Sequence, residues 1–328
     1  MNLHRNNELF KEAVIATAQK FNIPEIYVEK DYWVTLALKL IFQSDIGKEI
    51  IFKGGTALAK CNKMISRFSE DIDLVILRNS LDSNNQLKFK LKQITNSIIS
   101  EMPEITITGV TNKKGMIRKT AHSYDKIFTG QFGQIRDNII LEATWLGNYE
   151  PYQKGYVSSL ICDTLQSNNQ TELIRKFDLS PFEVQVLSPK RTFCEKIMSL
   201  VRFSFTKTPI VDLNNKIRHI YDIHMMLKDE EIRSFYQSEE FHKLLIKVAN
   251  DDVLSFKNNN FWLVNHPATA MIFDNSLETW DKIKQSYLVN FKDLVFGYFP
   301  TEKEIVNTLT ELSLKLKSIE WNIKIKKS

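Results

Sequence analysis

Two short segments in the N-terminal part of the chain constrain its fold more than anything else in it. Glu49-Ile50-Ile51-Phe52-Lys53 is a β-branched and aromatic run that ends on Gly54-Gly55, after which Thr56-Ala57-Leu58-Ala59-Lys60 is helical in character. This predicts a strand, a tight turn and a helix. Arg67-Phe68-Ser69-Glu70 then leads into Asp71-Ile72-Asp73-Leu74-Val75-Ile76-Leu77, whose apolar end predicts a buried strand. Side chains alternate along a strand, so Asp71 and Asp73 share a face while Ile72 points to the core. Two carboxylates on one face can share a hard divalent cation, Mg²⁺ or Mn²⁺, which takes oxygen ligands and keeps waters or phosphates in its shell. A Gly-Gly turn ahead of a helix leaves backbone N–H groups open to phosphate oxygens, with no Cβ in the way. Alone, Gly-Gly is usually only a turn, and Asp-x-Asp at a strand end is commonly solvated surface. Together they supply phosphate anchoring and metal ligands, which transfer of a nucleotide from a triphosphate to a hydroxyl requires.

The rest of the chain predicts an α/β (α+β) fold, a mixed sheet flanked by helices, followed by a helix-rich C-terminal lobe. Leu9, Ala13, Ala16 and Ala18 suggest a first helix, and Pro24 opens a second with Val28, Trp33, Leu36, Leu38, Leu40 and Ile41 on its apolar side. A helix is expected from about Asn85 to Glu101, with short strands at Ile105 to Val110 and Asn138 to Leu146. From about Glu183 the pattern turns helical, over Pro189 to Phe205, Asp212 to Leu227, Glu239 to Val248, Leu277 to Leu294 and Glu302 to Trp321. The polar run Gln166-Ser167-Asn168-Asn169-Gln170 suggests a boundary, giving domains of 1–165 and 166–328. Lys257-Asn258-Asn259-Asn260 reads as a less ordered stretch, and Lys324, Lys326 and Lys327 as a solvated basic end.

Composition excludes several classes. With 328 residues, 43% hydrophobic and 25% charged, and only 10 Gly and 8 Pro, the chain is neither collagen-like nor of low complexity. It has no apolar run long enough to cross a membrane and no secretory leader, so a cytoplasmic protein is expected. The 3 cysteines, Cys61, Cys162 and Cys194, are far apart and read as reduced structural thiols, and the histidines show no zinc-ligand spacing. A net charge of +5 permits a polyanionic partner without demanding one.

KGGTAL followed by RFSEDIDL resembles motif I of the AbiEii/MenT group of nucleotidyltransferase toxins, within the DNA polymerase β-like superfamily. Glu29-Lys30-Asp31-Tyr32-Trp33-Val34-Thr35 is similar to that family's N-terminal helix, and Ile140-Leu141-Glu142 to the strand carrying its third acidic position. Glu195-Lys196 and Arg218-His219-Ile220-Tyr221-Asp222 resemble its downstream lysine and Arg-x-x-Tyr-Asp motifs, so the matched segments run from about residue 25 to 228. The resemblance implies that Asp71, Asp73 and Glu142 bind the metal, and that one of the two aspartates helps activate the acceptor hydroxyl. It implies that Gly54, Gly55, Thr56 and Ser69 contact the nucleotide, that Lys196 holds the triphosphate as a point charge, and that Asp222 orients Lys196 or the nucleotide. Without it, Glu142 would be an ordinary sheet-edge residue, Lys196 an exposed helix lysine, and Arg218 with Asp222 a surface i,i+4 pair. One common form of the motif has Asp where this chain has His219.

The acceptor is less constrained. Lys113, Lys114, Arg118, Lys119 and Lys126, interleaved with Tyr124 and Phe128, form a basic segment between two strands, suited to a phosphate backbone. The resemblance adds that MenT toxins extend the tRNA acceptor end and so block translation. The expectation is a Mg²⁺-dependent nucleotidyltransferase toxin of a toxin–antitoxin or phage-defence pair, using an NTP, acting on tRNA and partnered by an antitoxin. Its active site would lie between the two lobes. An enzyme that modifies a small molecule or a protein, or a non-catalytic nucleotide-binding module, remains open at this point.

Overall fold

The computed structural model describes residues 1–130, 135–256 and 259–325; Lys257, Asn258, Lys326 and Lys327 lie outside them. The chain forms two compact units, one of residues 1–63 and 67–187 and one of residues 64–66 and 188–328. The polar run from Gln166 to Gln170 therefore falls inside the first unit.

The first unit is mixed α/β. In chain order it contains α1 (Asn7–Phe21), α2 (Glu25–Gln43), β1 (Ile50–Lys53), α3 (Gly54–Lys60), β2 (Ile72–Ile76), α4 (Asn84–Asn96), β3 (Glu104–Ile105), β4 (Ile117–His122), β5 (Ile139–Thr144), β6 (Tyr152–Val157), α5 (Leu160–Ser167), α6 (Thr171–Lys176) and β7 (Phe182–Leu187). Among the described residues the strands form one seven-stranded sheet in the order β3-β4-β5-β2-β1-β7-β6. β1 pairs antiparallel with β2 and parallel with β7, and β2 pairs parallel with β5.

Period-two alternation gives the sheet two different faces. Ile50, Phe52, Ile72, Leu74, Ile76 and Leu141 face a large core built with Phe10 and Val14 of α1, Val28, Tyr32 and Leu36 of α2, and Leu91 and Ile94 of α4. The opposite face carries only a small apolar cluster, Ile51, Val75 and Leu187, with Leu77 and Tyr149 against it. Local signals set the helix ends. The Asn6 side chain accepts from Leu9 N, α1 stops at Asn22 in the left-handed region, and α4 begins with a Ser83–Gln86 capping box.

The structure differs from the sequence expectation at several strands. The basic segment does not simply join two strands, because Ile117–His122 is itself β4. Phe182–Leu187 is a strand rather than the start of helical structure, and the exposed edge strand β6 was not expected at all. The expected strand at Ile105 to Val110 shrinks to Glu104–Ile105, and the helix before it ends at Asn96.

The second unit is helical: α7 (Pro189–Ser204), α8 (Pro209–Asn214), α9 (Ile217–Met226), α10 (Glu230–Gln237), α11 (Glu239–Ser255), α12 (Met271–Asp274), α13 (Ser276–Gln285) and α14 (Glu302–Lys317). The single helix expected from Asp212 to Leu227 is two, and the one expected to Leu294 passes at Ser286 into a π-helical turn. Phe193, Phe235, Tyr236 and Phe241 pack in edge-to-face and tilted pairs in one part of its core.

Candidate active site

Strand pairing assembles a row of charges that lie far apart in sequence. Lys53 of β1 is opposite Asp73 of β2, Asp73 is beside Glu142 of β5, and Glu142 is opposite Lys119 of β4. All four share the sheet face that lacks the large core, and directly paired residues are close enough to interact. Asp73 is half-buried, and burial, with Asp71 and Glu142 as like-charged neighbours, pushes its carboxyl up to about 7. Lys119 Nζ lies 3.0 Å from Glu142 Oε2. Asp71, just ahead of β2, accepts at Oδ1 from Arg136 Nη1 at 2.8 Å.

The two glycines are where the helix N-terminus meets these carboxylates. Gly54 has φ +84, and a Cβ there would overlap Asp73 Oδ2. A Cβ on Gly55 would come within 2.6 Å of Arg67 Nη2 and 3.1 Å of Ser69 Oγ. Thr56 ties α3 to the segment before β2, because its hydroxyl donates to Asp71 O at 2.6 Å and meets Ser69 Oγ at 2.9 Å. Thr56 and Ser69 thus brace Asp71 through the backbone.

α2 supplies a layer beneath this that local sequence patterns do not announce. Glu29, Lys30 and Asp31 are consecutive and all buried. Glu29 accepts from Ile127 N at 2.7 Å and Phe128 N at 3.1 Å. Asp31 takes Lys60 Nζ at 2.6 Å and Leu160 N at 2.8 Å. Lys30 Nζ lies 3.0 Å from Glu70 Oε2 and donates to the carbonyls of Arg136 and Asn138. Burial pushes the Lys30 ammonium down and the Glu70 carboxyl up from their ordinary values, and each charge opposes the shift in the other.

The predicted basic segment does not present one surface. Arg118 lies on the helix-covered face, donating from Nε to Thr95 Oγ1 of α4 at 2.8 Å and reaching Glu104 at 3.4 Å, and Lys113 also pairs with Glu104. Lys119 is on the opposite face, and Lys114 is exposed. In the second unit, Lys196 of α7 is buried, with Nζ 2.7 Å from Oδ2 of the fully buried Asp222 of α9. Lys196 is therefore no exposed helix lysine, and Asp222 is no surface residue. The cysteines are free, and burial pushes the Cys162 thiol up to about 11.

Among the described residues, no group of three or more His, Cys, Asp or Glu is arranged to hold a metal ion. Asp71 and Asp73 nonetheless fit Mg²⁺: both are oxygen donors, and Asp73 sits among like charges that a cation would relieve, with phosphates left to complete the shell.

Fold and family together define the class, a nucleotidyltransferase. A family model described as a nucleotidyl transferase AbiEii toxin of a type IV toxin–antitoxin system matches residues 37–296, and the chain belongs to that family. Among solved structures it is similar to MenT4, a nucleotidyltransferase toxin of Mycobacterium tuberculosis H37Rv, with 12% identity and a TM-score of 0.50 over 91% of this chain and 98% of that one. At that identity the likeness concerns the fold. A comparison with curated proteins gives no match. The protein is accordingly a nucleotidyltransferase toxin whose family implies an antitoxin partner. No described helix is long and apolar enough to cross a membrane.

Proposed function

We propose that this toxin is Mg²⁺-dependent and transfers nucleotides from an NTP to the 3′ hydroxyl of tRNA, blocking translation. The observation that carries the reading is the crowding of Asp73 by Asp71 and Glu142 against the Gly54 turn. Asp71 and Asp73 would hold the cation, which would supply positive charge to neutralise the triphosphate. Gly54 and Gly55 let backbone amides approach the phosphates, and Thr56 and Ser69 keep Asp71 in place. The 3′ oxygen attacks the α-phosphorus, the bond to the β-phosphate breaks, pyrophosphate leaves, and a carboxylate accepts the hydroxyl proton. The sequence resemblance gives Lys196, paired with Asp222 within the second unit, a phosphate-binding role. The tRNA acceptor rests on the motif resemblance to the AbiEii/MenT group in the sequence and on Lys114 and Lys119.

A second reading, in which the acceptor is a small molecule or a protein, is favoured by Arg118 turning toward Thr95 and Glu104. Purified protein incubated with tRNA and each labelled NTP distinguishes the two. Label should enter tRNA with at least one NTP, and Asp71→Ala should abolish transfer in a folded protein. No transfer with any NTP, together with normal growth on overexpression, would sink the tRNA reading. Neutralising Lys114 and Lys119, which unlike Lys113 and Arg118 are not paired with Glu104, should cost tRNA transfer while NTP binding persists.

A further inference from the structure

Arg136 is built in two contrasting parts. Its backbone is clamped by buried charges: the N–H donates to Glu70 Oε1 at 2.9 Å, and the carbonyl accepts from Lys30 Nζ, which belongs to a side chain of 0% exposure. Its guanidinium is 45% exposed and, among the described residues, meets only carboxylates, Asp71 Oδ1 at 2.8 Å and Glu70 Oε1 at 4.0 Å. An ion pair as exposed as this is weak and easily exchanged, whereas the buried clamp is not. The head can therefore change partners without moving its anchor.

We propose that Arg136 is a nucleotide-binding residue that exchanges partners, resting on Asp71 in the free protein and moving to the NTP phosphates when Asp71 takes the cation. The inference rests on the metal reading above. A guanidinium on Asp71 opposes a cation on the same carboxylate by like-charge repulsion. The planar fork of N–H donors suits phosphate oxygens bidentately, so the arriving triphosphate offers it a better partner than one carboxylate oxygen does. The Lys30–Glu70 pair sets the reach, because it fixes both the residue preceding Asp71 and the backbone of Arg136.

The two halves of the exchange predict effects of opposite sign. In Arg136→Gln, binding of Mn²⁺ alone, followed by electron paramagnetic resonance, should tighten about three- to fivefold, since a competing exposed ion pair is gone. Binding of each of the four NTPs with Mg²⁺ should weaken about tenfold for whichever is used, since a charge-assisted bidentate contact is lost. Arg136→Lys should fall between, keeping charge but not the fork. Unchanged Mn²⁺ and NTP affinities would overturn the proposal, and so would weakening of both, which marks Arg136 as merely structural. Asp71→Asn separates the two levels: if it leaves Mn²⁺ affinity intact the metal reading fails, whereas if it loses Mn²⁺ and Arg136→Gln changes nothing, only the exchange fails.

Discussion

Gly54→Ala tests the site through the one place where backbone and carboxylate meet. Gly54 has φ +84, and an alanine held there costs roughly 1–2 kcal/mol, because its Cβ crowds the carbonyl in the left-handed region. The new Cβ also overlaps Asp73 Oδ2, the end of a side chain that can rotate aside. The steric part is therefore relieved by displacing the carboxylate, and the stability cost stays near the backbone term. For a unit of this size each kcal/mol lowers Tm by about 2–4 °C, so a drop of roughly 2–8 °C is expected. Activity should fall far more, since moving a reacting group by about 1 Å costs about 100-fold.

Gly109 provides the control. It has φ +78, and nothing lies within 4 Å of a Cβ built on it, so Gly109→Ala has the same backbone cost without touching a carboxylate. Thermal unfolding of the two variants should give similar losses, while transfer from labelled NTP should be near wild type in Gly109→Ala and about 100-fold lower in Gly54→Ala. Equal transfer rates in the two variants would refute the placing of Asp73 against the glycine turn. A Gly54→Ala protein that unfolds while Gly109→Ala does not would refute the claim that the carboxylate absorbs the clash.

Three further outcomes follow from the packing. Thr56→Val removes the hydroxyl that binds Asp71 O and Ser69 Oγ, and should cost about 1–3 kcal/mol in denaturant unfolding together with a loss of transfer; unchanged stability would show that the brace does nothing. Lys196→Met removes the ammonium 2.7 Å from the buried Asp222 and should cost about 3–5 kcal/mol in denaturant unfolding, whereas Lys196→Met with Asp222→Leu should recover most of that stability; an unchanged unfolding midpoint in the single variant would refute the reasoning. Asp252 of α11 is pushed up to about 7 by burial and by Glu195, so the folded protein keeps a proton that the unfolded chain loses near 3.8. Stability from this group is full below about pH 4, declines as pH rises to about 7 and stays low above it. Asp252→Asn should therefore stabilise the protein at pH 8, by at most about 4 kcal/mol, and barely at pH 4; the same pH dependence in both proteins would refute it.

How much of this was legible in the sequence depends on whether the signal is local. β1, the Gly54 turn and β2 are set by apolar alternation and glycine chemistry within a few residues, and they are found where expected. β4 hid because Ile117-Arg118-Lys119-Thr120-Ala121-His122 is polar on both sides: Arg118 and the fully buried His122 satisfy themselves against Thr95, Glu104 and the Met102 carbonyl, partners invisible to a local pattern. β6 hid because an exposed edge strand needs no apolar face. The same distinction divides the site. Asp71 and Asp73 announce themselves, but the row from Lys53 to Lys119 exists only through strand register. Glu29-Lys30-Asp31 would pass by charge alone for a solvated helix face. Each of the three is instead buried against a partner distant in the chain, and stranding such a charge costs several kcal/mol. For Lys30 that cost argues for a positioning role, since it ties Glu70, beside Asp71, to the backbone of Arg136, and a buried ion pair adds little as mere stabilisation where apolar side chains would serve as well.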